Sequence, residues 1–200
     1  MTQARPMRAD ARRNYERLLE VAAEVFAEHG EHASLDDIAK RAGVGSGTLY
    51  RHFPTRRALL EAAYTDRMAA LAARADELAE GLPPGPALEE WLTELCAGAI
   101  RVRGLKALLG SAVMDGGAAP VPVCCTPVRD AAARLVAAAR AEGTLRADVE
   151  PVELLRLAHG VATASEFADG QGGQIRRYLS LLMEGLHRRP PGGRPARERP

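Results

Sequence analysis

The segment of residues 34–53 constrains the fold of this chain more than any other, because it predicts two short helices joined by a tight turn. Ser34 fits a helix N-cap, and the acidic Asp37 follows three residues later. Apolar residues then recur at helical spacing, at Leu35, Ile38, Ala39 and Ala42. Gly43 stands where a left-handed residue ends a helix. The first helix therefore buries one face and ends in a sharp turn.

The second helix, predicted over residues 45–52, has a different character. Only Leu49 and the following Phe53 are clearly apolar. A helix this short is not stable alone in water, so its neighbours must hold it in place. Its other side chains are small or polar: Ser46, Gly47, Thr48, Tyr50, Arg51 and His52. Such side chains suit contacts to phosphate oxygens and base edges, as in the recognition helix of a helix-turn-helix.

The same residues resemble the DNA-binding region of TetR-type transcriptional repressors. The resemblance rests on Ala42-Gly43-Val44, Gly47-Thr48-Leu49-Tyr50, His52-Phe53 and Leu59-Leu60, and it covers residues 10–65. Gly45 stands where the family usually has serine, which keeps an acceptable N-cap but removes a hydroxyl. The resemblance implies a homodimer that binds a palindromic double-stranded DNA operator and responds to a small-molecule effector.

The candidate DNA contacts fall into two groups. On the second helix, we expect Thr48, Tyr50 and His52 to contact phosphates and the other polar side chains to lie nearer base edges. Arg51 fits a guanine and a phosphate equally well. Further candidates lie at predicted helix starts: Arg12, Ser34, Arg56 and Arg57. A cation there opposes the helix dipole unless a phosphate is near, although Arg12 also fits plain solvated surface.

Composition excludes several classes of protein. Hydrophobic residues make up 46% of the chain, and its many alanines favour helices. The net charge of +1 means that DNA affinity must come from local arginine clusters. Without an 18-residue apolar run or an apolar leader, we expect a cytoplasmic protein with no membrane partner. No phosphate loop, nucleophile elbow or zinc signature is present, so we predict no enzyme, no cofactor and no metal.

The predicted fold is all-α, with about nine helices in two domains. A three-helix DNA-binding domain precedes a helical domain for ligand binding and dimerisation, and the Pro/Gly-rich run at 81–86 separates them. The predicted boundaries are a flexible basic arm at 1–9, the DNA-binding domain at 10–54, a connecting helix at 55–80, the C-terminal domain at 87–188 and a disordered tail at 189–200. Helices in the C-terminal domain are predicted at 87–102, 105–114, 127–142, 151–167 and 173–187, with Thr126 as the N-cap of the third and Glu150 as a poor N-cap of the fourth.

The last two predicted helices are apolar on more than one face, so each needs two packing partners. One partner is the domain core, and the second is either a copy of the chain, forming a four-helix bundle, or the rest of the same domain. The resemblance favours the copy. Candidate interface residues are Leu154, Leu157, Val161, Tyr178, Leu181 and Met183.

The resemblance also implies an effector cavity inside the C-terminal domain. Candidate lining residues are Trp91, Leu95, Met114, Cys124, His159 and Phe167. Trp91 and Phe167 also fit an ordinary core, and His159 fits a buried, hydrogen-bonded histidine better than a ligand contact. An alternative is a DNA-binding dimer without a cavity, regulated by protein interaction or by oxidation of Cys96, Cys124 or Cys125.

Overall fold

A computed structural model describes residues 5–101, 106, 109–110, 123–169 and 173–187. Within these residues the chain forms eight α-helices and no strand, which confirms the predicted all-α fold. The helices are α1 Arg5–His29, α2 Leu35–Ala42, α3 Ser46–His52, α4 Arg56–Gly81, α5 Pro84–Arg101, α6 Thr126–Glu142, α7 Pro151–Asp169 and α8 Ile175–Leu186. Most of the predicted helix at 105–114, including Met114, and the predicted tail lie outside the described residues.

The turns around α2 form as the sequence predicts. The Ser34 hydroxyl accepts a hydrogen bond from the Asp37 backbone N–H at 3.3 Å, which caps the helix. Gly43 ends it in the left-handed region with φ of 70°. The chain then extends for two residues and enters α3. These local signals fix the angle at which α3 leaves α2.

Two predicted boundaries are wrong, and proline explains both. The first helix begins at Arg5 rather than Asp10, so residues 5–9 of the predicted arm are helical. Only Leu82 and Pro83 separate α4 from α5, because α5 begins at Pro84 rather than Ala87. Proline interrupts a helix interior but fits its first turn, where no N–H partner is needed.

Helix α7 begins where predicted, at Pro151, although Glu150 is a poor N-cap. The carboxylate of Glu153 accepts a hydrogen bond from the Glu150 backbone N–H at 2.9 Å, which is half of a capping box. Helix α6 begins one residue earlier than predicted, with Cys125 at the N-cap, and Gly143 ends it with φ of 86°.

Helix α4 joins the two halves of the protein, because it packs against α1 on one side and α5 and α6 on the other. The Tyr64 hydroxyl donates a hydrogen bond to the Ala23 carbonyl of α1 at 3.1 Å. The Trp91 indole of α5 donates one to the Leu71 carbonyl of α4 at 2.9 Å. Both aromatic side chains are buried, and their polar groups are therefore satisfied. Among the residues that the structure describes, no helix has both the length and the apolar character needed to cross a bilayer.

Candidate nucleic-acid interface and internal cavity

Helix α3 is anchored in the protein by its apolar side chains, and most of its other side chains face outward. Leu49 is fully buried, and Phe53, which directly follows the helix, is 5% exposed. The Phe53 ring stacks on the Tyr15 ring of α1, with 5.6 Å between centroids and 27° between planes. The His52 ring meets Tyr15 edge-on at 5.8 Å. Sequence reasoning missed Tyr15, although it stands three residues before Leu18, at helical spacing from the buried stripe of α1.

The outer face of α3 carries the side chains that the sequence singled out. Gly47, Tyr50, Arg51 and His52 are exposed, while Ser46 and Thr48 are half-buried. The Arg51 guanidinium lies back along the helix, donating hydrogen bonds to the Gly47 carbonyl and the Thr48 hydroxyl, both at 3.2 Å. Since these contacts are exposed, Arg51 can exchange them for a nucleic-acid acceptor at little cost.

Of the other candidate DNA contacts, Ser34, Arg56 and Arg57 lie at helix starts. The placement of Arg12 in the first turn is wrong, because α1 begins at Arg5 and Arg12 lies about two turns inside it. Arg12 is exposed and forms an ion pair with Glu16 at 2.8 Å, which raises the pKa of Arg12. The Ser34 hydroxyl oxygen serves as the cap of α2. Arg56 is exposed, whereas the half-buried Arg57 pairs with Glu61 at 2.8 Å.

A small cavity lies between α5, α6 and α7. It is lined by Leu95, Cys96, Ala99, Leu109, Cys125, Val128, Arg129, Leu155, Ala158, His159 and Ala162. The space inside is about 20 Å³, which is room for about one water molecule. Ala158 and Ala162, one turn apart on α7, leave this space because neither side chain extends beyond Cβ. Alanines at that spacing are the signal that sequence reasoning overlooked.

His159 is one of two strongly polar side chains in the cavity wall, together with Arg129. Its Nδ1 atom is buried and has no hydrogen-bond partner among the described residues, so this part of the chain does not supply the partner that the sequence predicted. Burial lowers the pKa of His159, and the charge of Lys106 lowers it further. The imidazole is therefore neutral at pH 7. Gly110 lies directly against it, since a Cβ there would be 3.1 Å from the ring's Cε1.

Only some of the residues that were predicted to line the cavity do so. Leu95 and His159 line the cavity, while Trp91 is buried elsewhere in the core. Cys124 lies beside the lining residue Cys125 but does not itself line the space. Phe167 is 87% exposed, so its assignment to the cavity or core is wrong. It lies near the C-terminal end of α7, on a side of the helix that no described element covers.

The three cysteines differ in environment. The Cys96 thiol donates a hydrogen bond to the Ala158 carbonyl at 3.2 Å, and burial raises its pKa to about 12. The sulfur atoms of Cys124 and Cys125 lie 3.9 Å apart, and all three residues are free thiols. Among the described residues, no group of three histidine, cysteine or acidic side chains is arranged to hold a metal ion.

An apolar surface runs along α7 and α8. Phe167, Leu181 and Leu157 are 87%, 49% and 42% exposed, and Val161 and Tyr178 are half-buried. Leu154 and Met183, which were also predicted for a dimer interface, are 1% and 4% exposed within the single chain. Those two belong to the buried core of the single chain, so their assignment to the dimer interface is wrong.

Comparison with known proteins gives matches along most of the chain. Residues 18–63 match the family model described as bacterial regulatory proteins, tetR family. Residues 83–188 match the model described as transcriptional regulator SbtR-like, C-terminal domain. An HTH-type transcriptional regulator of Staphylococcus aureus is 52% identical over 48 residues, 24% of this chain. That match spans only 26% of the curated relative's own length.

Solved structures are similar over a larger share of the chain. A TetR transcriptional regulator from Streptomyces coelicolor is 37% identical, covering 86% of this chain and 97% of that one, with a TM-score of 0.56. A TetR transcription regulatory protein from Mycobacterium vanbaalenii is 33% identical, covering 92% and 100%, with a TM-score of 0.50. FadR of Thermus thermophilus, a TetR family repressor in complex with lauroyl-CoA, is 26% identical, covering 89% and 98%, with a TM-score of 0.60.

Proposed function

Because the chain belongs to the TetR family of transcriptional regulators, we propose that it represses transcription by binding a palindromic operator as a homodimer, and that a small, largely apolar effector releases it. The observation that carries this proposal is the exposed polar face of α3, a seven-residue helix held in place by the fully buried Leu49. A rigidly held helix of this kind suits the major groove of DNA. The remaining features support the parts of the proposal one by one.

DNA recognition rests on α3 and the helix starts near it. Gly47 has no atom within 4 Å of the position that a Cβ would take, so the backbone there is open to a close approach by DNA. Arg51 is the side chain that suits a guanine edge, whereas Thr48, Tyr50 and His52 suit phosphates. Arg12, Ser34, Arg56 and Arg57 add positive charge or hydroxyl donors at the flanks.

Dimerisation rests on the apolar surface of α7 and α8. Leu157, Phe167 and Leu181 are more exposed than large apolar side chains of a monomer commonly are, and they follow one another along adjacent helices. Packing two copies of this surface forms a four-helix bundle about a two-fold axis. A two-fold axis places the two α3 helices about 34–36 Å apart when the dimer fits successive major grooves.

The effector site rests on the cavity between α5, α6 and α7. Its wall is apolar apart from His159 and Arg129, which favours a mostly apolar ligand with a polar group. The present space of about 20 Å³ is too small for such a ligand, so binding must separate the helices. Helix α4 packs against α5 and α6 and leads directly to α3, so this separation changes the position of α3. The effector weakens DNA binding to the extent that it prefers the separated conformation.

Selection of bound DNA from a genomic pool tests the DNA-binding part. We expect recovered fragments to share an inverted repeat, and Arg51→Ala to lose preference at one position of each half-site, by about 1–3 kcal/mol. Arg134→Ala, which removes an exposed arginine of α6 paired with Asp76, serves as the matched control and leaves the preference unchanged. Equal weakening at all positions would assign Arg51 to the phosphate backbone, and fragments without a common repeat would contradict the proposal.

Light scattering tests the dimer. The wild-type protein is expected to be a dimer at micromolar concentration, and Leu181→Asp to be a monomer. The control is Leu82→Asp, because Leu82 is 39% exposed but lies between α4 and α5. A monomeric wild-type protein would contradict the proposed assembly.

A further inference from the structure

Two adjacent thiols form a feature that the proposed function does not use. Cys124 and Cys125 lie in a 3₁₀ turn, Val123–Cys125, immediately before α6. Their sulfur atoms are 3.9 Å apart, and the residues are 8% and 1% exposed. The two side chains thus face one another in a nearly dry environment. Their common neighbours include Arg57 and Glu61 of α4, whose charges act on both thiols.

The number of thiols decides which ligand fits. Structural zinc needs four ligands, and no group of three suitable side chains exists among the described residues. The third cysteine, Cys96, directs its thiol to the Ala158 carbonyl. Two close thiolates with no further donor suit a soft metal or metalloid atom that can exchange two of its ligands. A trivalent arsenic atom that already carries one organic group has two such positions.

We propose that Cys124 and Cys125 bind a monosubstituted trivalent arsenical, and that occupancy of this site weakens DNA binding. In the reaction R–As(OH)₂ + 2 Cys–SH → R–As(S–Cys)₂ + 2 H₂O, two As–O bonds are replaced by two As–S bonds. Each thiol proton leaves in water, and neither arsenic nor sulfur changes oxidation state. The pair therefore acts as a chelating dithiol rather than as a disulfide.

Cys124 is the thiol that attacks first, because it is the more exposed of the two, at 8% against 1%. The contact between the two thiols lowers the pKa of Cys124, which favours its thiolate. The same contact raises the pKa of Cys125, and burial raises it further. Once arsenic is attached to Cys124, the second thiol lies within reach, and the second bond forms as an intramolecular step.

Transmission to DNA follows from where the pair lies, and this step rests on the proposed function. The Val123–Cys125 turn packs against α4 near the Arg57–Glu61 ion pair, one turn after α4 begins. Cys125 also lines the cavity, where the free space is only about 20 Å³. An arsenic atom with its organic group exceeds that space, so the turn must move, and its packing against α4 changes with it. Because only three residues lie between α3 and α4, that movement shifts the DNA-binding face.

Phenylarsine oxide, which hydrates to the R–As(OH)₂ form, is the probe for the site. The full-length reduced protein is titrated, and intact mass and free thiols are measured. We expect one phenylarsenic adduct and the loss of two of the three thiols. Cys96→Ser is the matched control and gives one adduct with no free thiol left. Cys124→Ser and Cys125→Ser lose the tight adduct, with helix content checked by circular dichroism.

Removal of the bound arsenical distinguishes chelation by both sulfurs from attachment through one sulfur. A 1,2-dithiol such as 2,3-dimercaptopropanol should remove the phenylarsenic group, whereas an equal thiol concentration of 2-mercaptoethanol should not. The binding site is refuted by removal with the monothiol, by an undiminished adduct in Cys125→Ser, or by an adduct that requires Cys96. These measurements need no DNA, so they stand apart from the proposed function.

The proposed effect of the arsenical on DNA binding is tested with an operator recovered from the genomic pool. We expect Kd to rise about tenfold or more on addition of phenylarsine oxide to the wild-type protein and to Cys96→Ser. Cys124→Ser should show no change. A complete adduct with unchanged Kd refutes the regulatory step. Absence of operator binding before any arsenical is added refutes the proposed function instead.

Discussion

Replacing Gly47 by alanine should stabilise the free protein and weaken DNA binding, two effects of opposite sign from one methyl group. Gly47 lies in the first turn of α3 with a helical backbone, and a Cβ there meets no atom within 4 Å. The substitution therefore adds no clash and removes the conformational freedom of glycine in the unfolded chain. The expected gain is about 0.5–1 kcal/mol per subunit. For a chain of this length, that raises Tm by about 1–4 °C.

On DNA, the same methyl group occupies the surface that α3 presents to the groove. If it displaces the backbone enough to cost about 1.4 kcal/mol per half-site, the dimer loses about 100-fold in affinity, because both half-sites are affected. Urea denaturation gives the stability term, and titration of a labelled operator gives the affinity. The control is Gly81→Ala, since Gly81 is the last residue of α4 and its Cβ position is also open. It should stabilise the protein without changing Kd.

Any of three results would refute this reasoning. A loss of stability in Gly47→Ala would mean that the surroundings of α3 are not open in solution. A gain of stability with an unchanged Kd would mean that Gly47 does not approach the duplex. Equal losses of affinity in Gly47→Ala and Gly81→Ala would place the effect in the overall fold rather than at the groove.

Three further changes test how the DNA-binding half is held. Leu49→Ala empties a fully buried position and should cost about 2–5 kcal/mol in urea denaturation, with operator binding lost at the same time; binding that survives would mean that other contacts hold α3. Thr55→Ala removes the side chain that accepts a hydrogen bond from the Ala58 N–H at 3.1 Å and should cost about 1 kcal/mol, whereas Thr55→Ser should retain most of it. Tyr64→Phe should cost about 1 kcal/mol at pH 7, through loss of the hydrogen bond to Ala23. Burial raises the pKa of Tyr64 to about 12, so its contribution is complete below the ordinary tyrosine pKa of about 10 and is lost as pH rises toward 12. The stability difference between Tyr64→Phe and wild type, followed by urea denaturation from pH 7 to 11.5, should therefore shrink above pH 10, and a constant difference would contradict it.

The DNA-binding half was predictable because its signals are local. Ser34 and Gly43 act through hydrogen bonds and dihedral angles within a few residues, and both do what the sequence indicates. The exposure of Tyr50, at 45%, follows from the single buried position of α3. Even so, the supporting role of Tyr15 depends on how α1 crosses the end of α3, which no pattern within either helix specifies.

The structure of the C-terminal half of the chain was less predictable, because α7 is apolar on several sides. Leu154 and Leu157 are three residues apart and equally apolar, yet one is 1% exposed and the other 42% exposed. Only the positions of α5, α6 and α8 decide which side turns inward. The same ambiguity misplaced Phe167. The cavity depends on small residues of α5 and α7, among them Ala99 and Ala158, meeting beside α6, so it appears only when those helices are assembled.

The hydrogen bonds of α4 determine where this protein can be divided for engineering. Tyr64 binds α1 near one end of α4, and the Leu71 carbonyl binds Trp91 of α5 almost two turns later. A chimera joined at residue 54 would separate α1 from its partner Tyr64. A junction between residues 65 and 70, within the uninterrupted helix, leaves each half with its own hydrogen bond to α4, so a different DNA-binding half can be joined to this C-terminal half.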